Sequence, residues 1–124
     1  MGYYSEIAFV MDKEAHEDFL SAIAKLDDTP RTEVLNLLGM FTKKRYPDGA
    51  ILYHHPLLKW YVEDFPSVAF VDEFLNDLPE RKYRYITIGA EFDDVGEQGC
   101  YNIKTGDMYM ERRVVIPKGG RKCS

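Results

Sequence analysis

His54 and His55 are the side chains best suited by type to acid–base or metal chemistry, and they are adjacent. On an extended segment neighbouring side chains point to opposite faces, so the two imidazoles do not converge on one ion. A zinc site would need two more ligands of Cys, His or carboxylate type. His16 falls on a separate helical stretch, and Cys100 has no partner at Cys-x-x-Cys spacing. Nucleophilic catalysis is no better supplied. There is no Gly-x-Ser-x-Gly, neither cysteine has a nearby histidine base, and Cys123 is next to last in the chain. The glycines form neither a phosphate-binding loop nor a dinucleotide fingerprint. No catalytic residue, metal or cofactor is therefore expected. The enzymatic alternative is a small hydrolase or metal-dependent enzyme using His54 or His55 with acids from the loop over 91–99.

Carboxylates come in pairs at Glu63-Asp64, Asp72-Glu73 and Asp93-Asp94. General acid–base work needs two of them in one pocket with different surroundings, and spacing alone does not bring them together. Asp72 and Glu73 read as the solvated face of a helix. Asp93 and Asp94 lie between Phe92 and Val95 in a glycine-bounded stretch, and acids beside exposed apolar groups suit a protein-binding tip. Glu91, Phe92, Asp93, Asp94 and Glu97 are the expected contact residues, the acids meeting a basic surface while Phe92 fills a pocket. Trp60 and Tyr61, just ahead of a helix, are either a lid over the core or a second contact patch, since such residues dominate interface hot spots.

The 124 residues fit one domain, and a hydrophobic share of 45% is enough for a core without staples. The net charge is −5, yet Arg112, Arg113, Lys118, Arg121 and Lys122 place +5 at the C-terminal end with no acid among them, leaving −10 on the rest. So acidic a body repels nucleic acid, and direct nucleic-acid binding is not expected; it attracts a basic protein surface. The absence of a leader and of any apolar run of about 18 residues points to a cytoplasmic protein that does not enter a membrane. The two cysteines are then expected to be free thiols.

Several elements must position these residues. Residues 3–11 alternate as a strand, with Ile7, Phe9 and Met11 on its apolar side. Asp12 caps a helix that ends near Asp27. Thr29-Pro30 opens a second helix, and Lys43, Lys44 and Arg45 suit its negative C-terminal end. Pro47-Asp48-Gly49 marks a turn before a strand over 50–55, which Pro56 interrupts. Phe65-Pro66-Ser67 starts a third helix with a stripe at Val68, Val71, Phe74 or Leu75, and Leu78. Residues 81–91 form a strand feeding the acidic loop, which runs to Gly99. A hairpin follows, with strands over 100–103 and 107–116 around Lys104-Thr105-Gly106. The expected fold is α+β: a mixed, mainly antiparallel sheet of about four or five strands with about three helices mainly on one face, a ferredoxin-like or related sandwich. Residues 1–117 form the domain and 118–124 a flexible basic tail.

The start Met1-Gly2-Tyr3-Tyr4-Ser5, the run Lys59-Trp60-Tyr61 with Phe65-Pro66-Ser67-Val68-Ala69-Phe70, and Ile86-Thr87-Ile88-Gly89 leading to Asp93-Asp94 resemble small accessory proteins encoded by tailed bacteriophages and prophages. The resemblance extends from residue 1 to about 113 and carries no catalytic residue. It implies a bacterial host cytoplasm and a non-enzymatic protein that binds and modulates a host protein, for instance as an inhibitor of a defence system such as CRISPR or restriction. Homo-oligomeric assembly is the alternative.

Overall fold

The computed structural model describes residues 4–89 and 95–100, together with the backbone of 109–110 and 114–115. The element order is β1 (Ser5–Met11), α1 (Lys13–Ala24), α2 (Asp28–Gly39), β2 (Thr42–Arg45), β3 (Ile51–Leu58), α3 (Pro66–Asn76), a 3-10 turn (Glu80–Lys82), β4 (Tyr83–Ile88) and β5 (Val95–Gly99). Two short strands, β6 (Tyr109–Met110) and β7 (Val114–Val115), pair with each other. The single strand expected over 107–116 is therefore two strands, and the expected strand over 100–103 lies mostly outside the described residues.

The main sheet has the order β2-β3-β1-β4-β5, and every neighbouring pair is antiparallel. β1 and β2 both run against β3, which lies between them, and the α1–α2 crossover joins them. β3 and β4 both run against β1, and α3 joins them. These two interleaved strand–helix–strand units are the β-α-β-β-α-β arrangement of the ferredoxin-like fold, with β5 added at one edge. The expected α+β class holds, and the sheet is antiparallel throughout its described pairs.

The helices pack on one face. Ile7, Phe9, Met11, Ile51, Tyr53, Tyr83 and Tyr85 from the strands meet Phe19, Ile23, Val34, Leu38, Val71 and Leu75 from the helices. Phe9 is the centre: it stacks on Tyr53 at 4.9 Å, and Phe41 and the edge of Tyr85 lie at 5.5 and 6.3 Å. Burying each such side chain stabilises the fold by about 1.5–3 kcal/mol. The opposite face is also buried. Ala8, Val10, Leu52, Ile86 and Ile88 form a second cluster, with β7 lying close to β1. The alternation in β1 thus separates two cores and not a core from water.

Local chemistry explains the boundaries. The Asp12 carboxylate accepts the Ala15 N–H at 2.8 Å and caps α1. α2 begins two residues earlier than expected. Asp27 and not Thr29 is its N-cap, and Pro30 lies in the first turn, where its missing N–H removes no helical bond. Lys43 to Arg45 belong to the edge strand β2, not to a helix end, although the Lys43 ammonium still donates to the Leu38 carbonyl at 3.0 Å. All four β2 side chains are exposed, and charge on an edge strand opposes edge-to-edge association. The β2–β3 turn closes with Gly49 at φ 90°, its N–H donating to the Tyr46 carbonyl at 2.9 Å. β3 runs through Pro56 because the pairing with β1 slips there. Ile7 faces His55 and Ser5 faces Leu58, so the extra residue forms a bulge that needs no proline N–H.

Candidate functional site

Of the expected contact residues, Glu91, Phe92, Asp93 and Asp94 lie outside the described residues. Glu97 is on strand β5 and not in a loop. Its side chain is 11% exposed and lies 3.2 Å from the Arg84 Nε, which is fully buried. The contact is a charge pair and not an aligned hydrogen bond. Glu97 is thereby committed inside the protein, on the sheet face opposite the helices. Trp60 and Tyr61 sit on the β3–α3 connection. Tyr61 stacks on Phe65 at 6.2 Å with the rings 9° apart, and Trp60 packs edge-on against Phe41 at 6.0 Å.

Trp60 is also the first member of a polar chain. Its indole N–H donates to the Tyr85 hydroxyl at 2.6 Å, and that hydroxyl donates to the Asp72 carboxylate at 2.9 Å. The direction is set, because indole donates only and an ionised carboxylate accepts only. Burial, the largest cause, pushes the Tyr85 hydroxyl far above the ordinary phenol range, with nearby Asp72 adding to the rise. Beside this chain is a cavity of about 210 Å³ at the junction of β4, β5 and α3, whose walls include Val62, Thr87, Gly96 and Gln98.

A larger apolar cleft runs between α2 and α3. One part, of about 440 Å³, has Leu37, Leu58 and Val68 in its floor and Met40 and Phe65 at its mouth, 54% and 40% exposed. The other, of about 290 Å³, is lined by Leu26, Val34, Phe70 and Glu73. Glu33, Pro66 and Ser67 border both, so the two parts form one groove. The three helices carry Lys13 and Arg31 against Glu14, Glu17, Asp18, Asp28, Glu33, Asp72 and Glu73, a net charge of −5.

The histidines point to different surroundings, as alternation requires. His54 Nε2 meets the Glu6 carboxylate at 2.7 Å across the β1–β3 pair. His55 lies on the helix face, edge-on to Phe41 at 5.8 Å, with Nδ1 accepting the Leu57 N–H at 3.0 Å. Among the described residues no group of three His, Cys, Asp or Glu side chains is placed to hold a metal. Cys100 is disulfide-bonded, which corrects the free-thiol expectation. No helix among the described residues is long and apolar enough to cross a membrane.

His16 is buried on α1, with Nε2 2.8 Å from the Tyr53 hydroxyl. Burial, and secondarily the Arg45 charge, hold its imidazole below the ordinary histidine range, and Glu17 opposes them weakly. The unfolded chain therefore binds the proton first. The stability contributed by neutral His16 is fully present above the unfolded value of about 6.5 and is lost as pH falls below it towards the folded value. His16→Gln, which keeps a partner for Tyr53, should flatten this acid limb in urea unfolding series. An unchanged slope would exclude His16 as its source.

Neither Tyr85 nor Asp72 was marked as a site residue by its sequence setting. Asp72 has the helical neighbours of a solvated face, and Tyr85 has the alternation of a core strand. The groove residues Met40 and Phe65 likewise sit at helix ends with no motif around them. No family model, no curated protein and no solved structure matches the chain.

Proposed function

We propose that this chain is a non-enzymatic binding module whose helical layer docks a basic, amphipathic segment of a partner protein. The observation that carries this reading is the α2–α3 groove: an apolar floor, exposed Met40 and Phe65 at its mouth, and Glu33 and Glu73 against the single cation Lys59 among the described residues on its rim. An amphipathic segment fills such a groove with apolar anchors at helical spacing. The net charge of −5 on the helices selects Lys and Arg on the flanks of that segment, through complementarity and faster encounter. Under the resemblance to phage accessory proteins the partner is a host protein with a basic surface, a nucleic-acid-handling defence component being one instance. The acids and Phe92 of residues 91–94 remain candidate contacts on the same partner.

The test uses two labelled helical peptides with the same apolar face, one flanked by Arg and Lys and one by Glu. The basic peptide should bind in a salt-dependent manner, and Glu33→Lys combined with Met40→Ser should weaken it by about tenfold or more. Both positions are exposed, so the thermal midpoint should barely move. Equal binding of the two peptides, or an unaffected double variant, would remove the groove as the docking site.

A further inference from the structure

We infer that the Trp60–Asp72–Tyr85 cavity receives the guanidinium of an arginine side chain carried by the partner. The assignment rests on the docking of a basic partner, and it specifies the anchor. Lys59 lines the groove while Trp60 and Val62 line the cavity, so the β3–α3 connection separates the two; on α3, Glu73 borders the groove and Asp72 the cavity. A segment laid across α3 and its leader reaches both. Residues 59–77 carry Lys59 against Glu63, Asp64, Asp72, Glu73 and Asp77, a net charge of −4 that favours a cation over an anion here.

The cavity's own chemistry narrows the ligand. Asp72 is the one acidic or basic side chain on its wall among the described residues. One carboxylate oxygen accepts the Tyr85 hydroxyl and the other the Asn76 amide at 3.1 Å. A carboxylate has about four lone-pair sites, so each oxygen retains one. No Lys, Arg or His forms an ion pair with Asp72 among the described residues. Because the Tyr85 oxygen already accepts the Trp60 N–H, its own O–H points at Asp72 and braces that carboxylate as an acceptor. Two free acceptor sites on one carboxylate match the parallel N–H donors of a guanidinium. The hydroxyl of Thr87 and the amide of Gln98 supply further acceptors, and an indole is the aromatic wall cations prefer.

Size points the same way. About 210 Å³ is below the roughly 300–1,000 Å³ of sites for drug-sized ligands and suits one side-chain head group. Arginine is favoured over lysine because its planar, weakly hydrated head is easier to desolvate and pairs bidentately.

Trp60 is the sole tryptophan, so its indole N–H resonance reports on the cavity without labelling elsewhere. The probe is N-acetyl-arginine methylamide, compared with the lysine analogue, free arginine and N-acetyl-glycine methylamide. The arginine probe should give a saturable shift, with the lysine analogue about tenfold weaker. Asp72→Asn, which keeps the shape and one of the two acceptor oxygens but removes the charge, should abolish it. Gly96→Ala places a methyl group 2.9 Å from the Thr87 hydroxyl and should weaken binding without altering charge. An unmoved Trp60 resonance in the unliganded variants shows that the Trp60–Tyr85 bond survives; if Asp72→Asn fails that check, Gly96→Ala carries the comparison. No saturable shift, or equal responses to arginine and glycine probes, overturns the assignment. Tighter binding of free arginine than of the blocked residue overturns the partner as its source. Loss of this shift while the basic peptide still docks in the groove refutes the anchor alone and leaves the binding module standing.

Discussion

Arg84→Ala should lower the free energy of unfolding by about 3–5 kcal/mol, because it removes a fully buried guanidinium from beside a carboxylate that the fold has largely withdrawn from water. Arg84 is fully buried on β4 and Glu97 nearly so on β5, 3.2 Å apart, in the face that also holds Ala8, Val10, Ile86 and Ile88. Desolvating two charges costs several kcal/mol each, and their attraction offsets this only while both are present. The pair therefore contributes little net stability but makes each single deletion expensive. Arg84→Met together with Glu97→Met should recover most of the loss, since apolar side chains of similar length remove both desolvation penalties at once. Denaturant unfolding of the wild type, both single variants and the double variant closes the cycle. A cost below about 1 kcal/mol for Arg84→Ala would mean that the pair behaves like a solvated surface bridge. Such a result would return Glu97 to the candidates for partner contact, because a carboxylate free to leave Arg84 is free to meet another cation.

That pair also shows where the sequence was readable. The alternation of Tyr83, Tyr85 and Thr87 with Arg84, Ile86 and Ile88 identifies β4, and Asp12 and Pro66 mark two helix starts through capping and fixed φ. β2 was hidden because Thr42-Lys43-Lys44-Arg45 has no apolar alternation to display; an edge strand with every side chain in water needs none. Without β2 the β2–β3 hairpin is missing, and the standard strand–helix order of the fold disappears with it. β5 was hidden for a different reason. Val95-Gly96-Glu97-Gln98-Gly99 has the composition of a loop and is extended because β4 offers it a ladder. The site divides in the same way. Trp60 announces itself by type, whereas Tyr85 and Asp72 are brought together from 13 residues apart, and Trp60 and Tyr85 from 25. No local pattern encodes a meeting of that kind.

Gly99→Ala should be nearly as damaging, at about 2–5 kcal/mol, through the backbone and not through charge. Gly99 closes β5 opposite Arg84 with φ at 79°, a region that costs an L-residue about 1–2 kcal/mol. A Cβ there would lie 2.2 Å from the Tyr83 carbonyl oxygen, 2.8 Å from its carbon and 3.1 Å from the Arg84 Cα. These are backbone atoms of the neighbouring strand, so no rotamer change relieves the contact, and β5 must draw away from β4. Separation there would strain the Arg84–Glu97 pair on one face and shift Gly96 and Gln98 at the cavity on the other. The amides of β4 and β5 should therefore lose exchange protection before those of β1 and β3. Gly39→Ala is the matched control. It lies at the end of α2, where an added Cβ meets nothing within 4 Å, and it should be neutral or stabilising by up to about 1 kcal/mol. If the two alanine variants unfold alike and β5 keeps its protection, the close approach at Tyr83 does not constrain this edge. The cavity beside Trp60 would then have a wall that adapts, and its preference for one cationic head group would have to come from Asp72 alone.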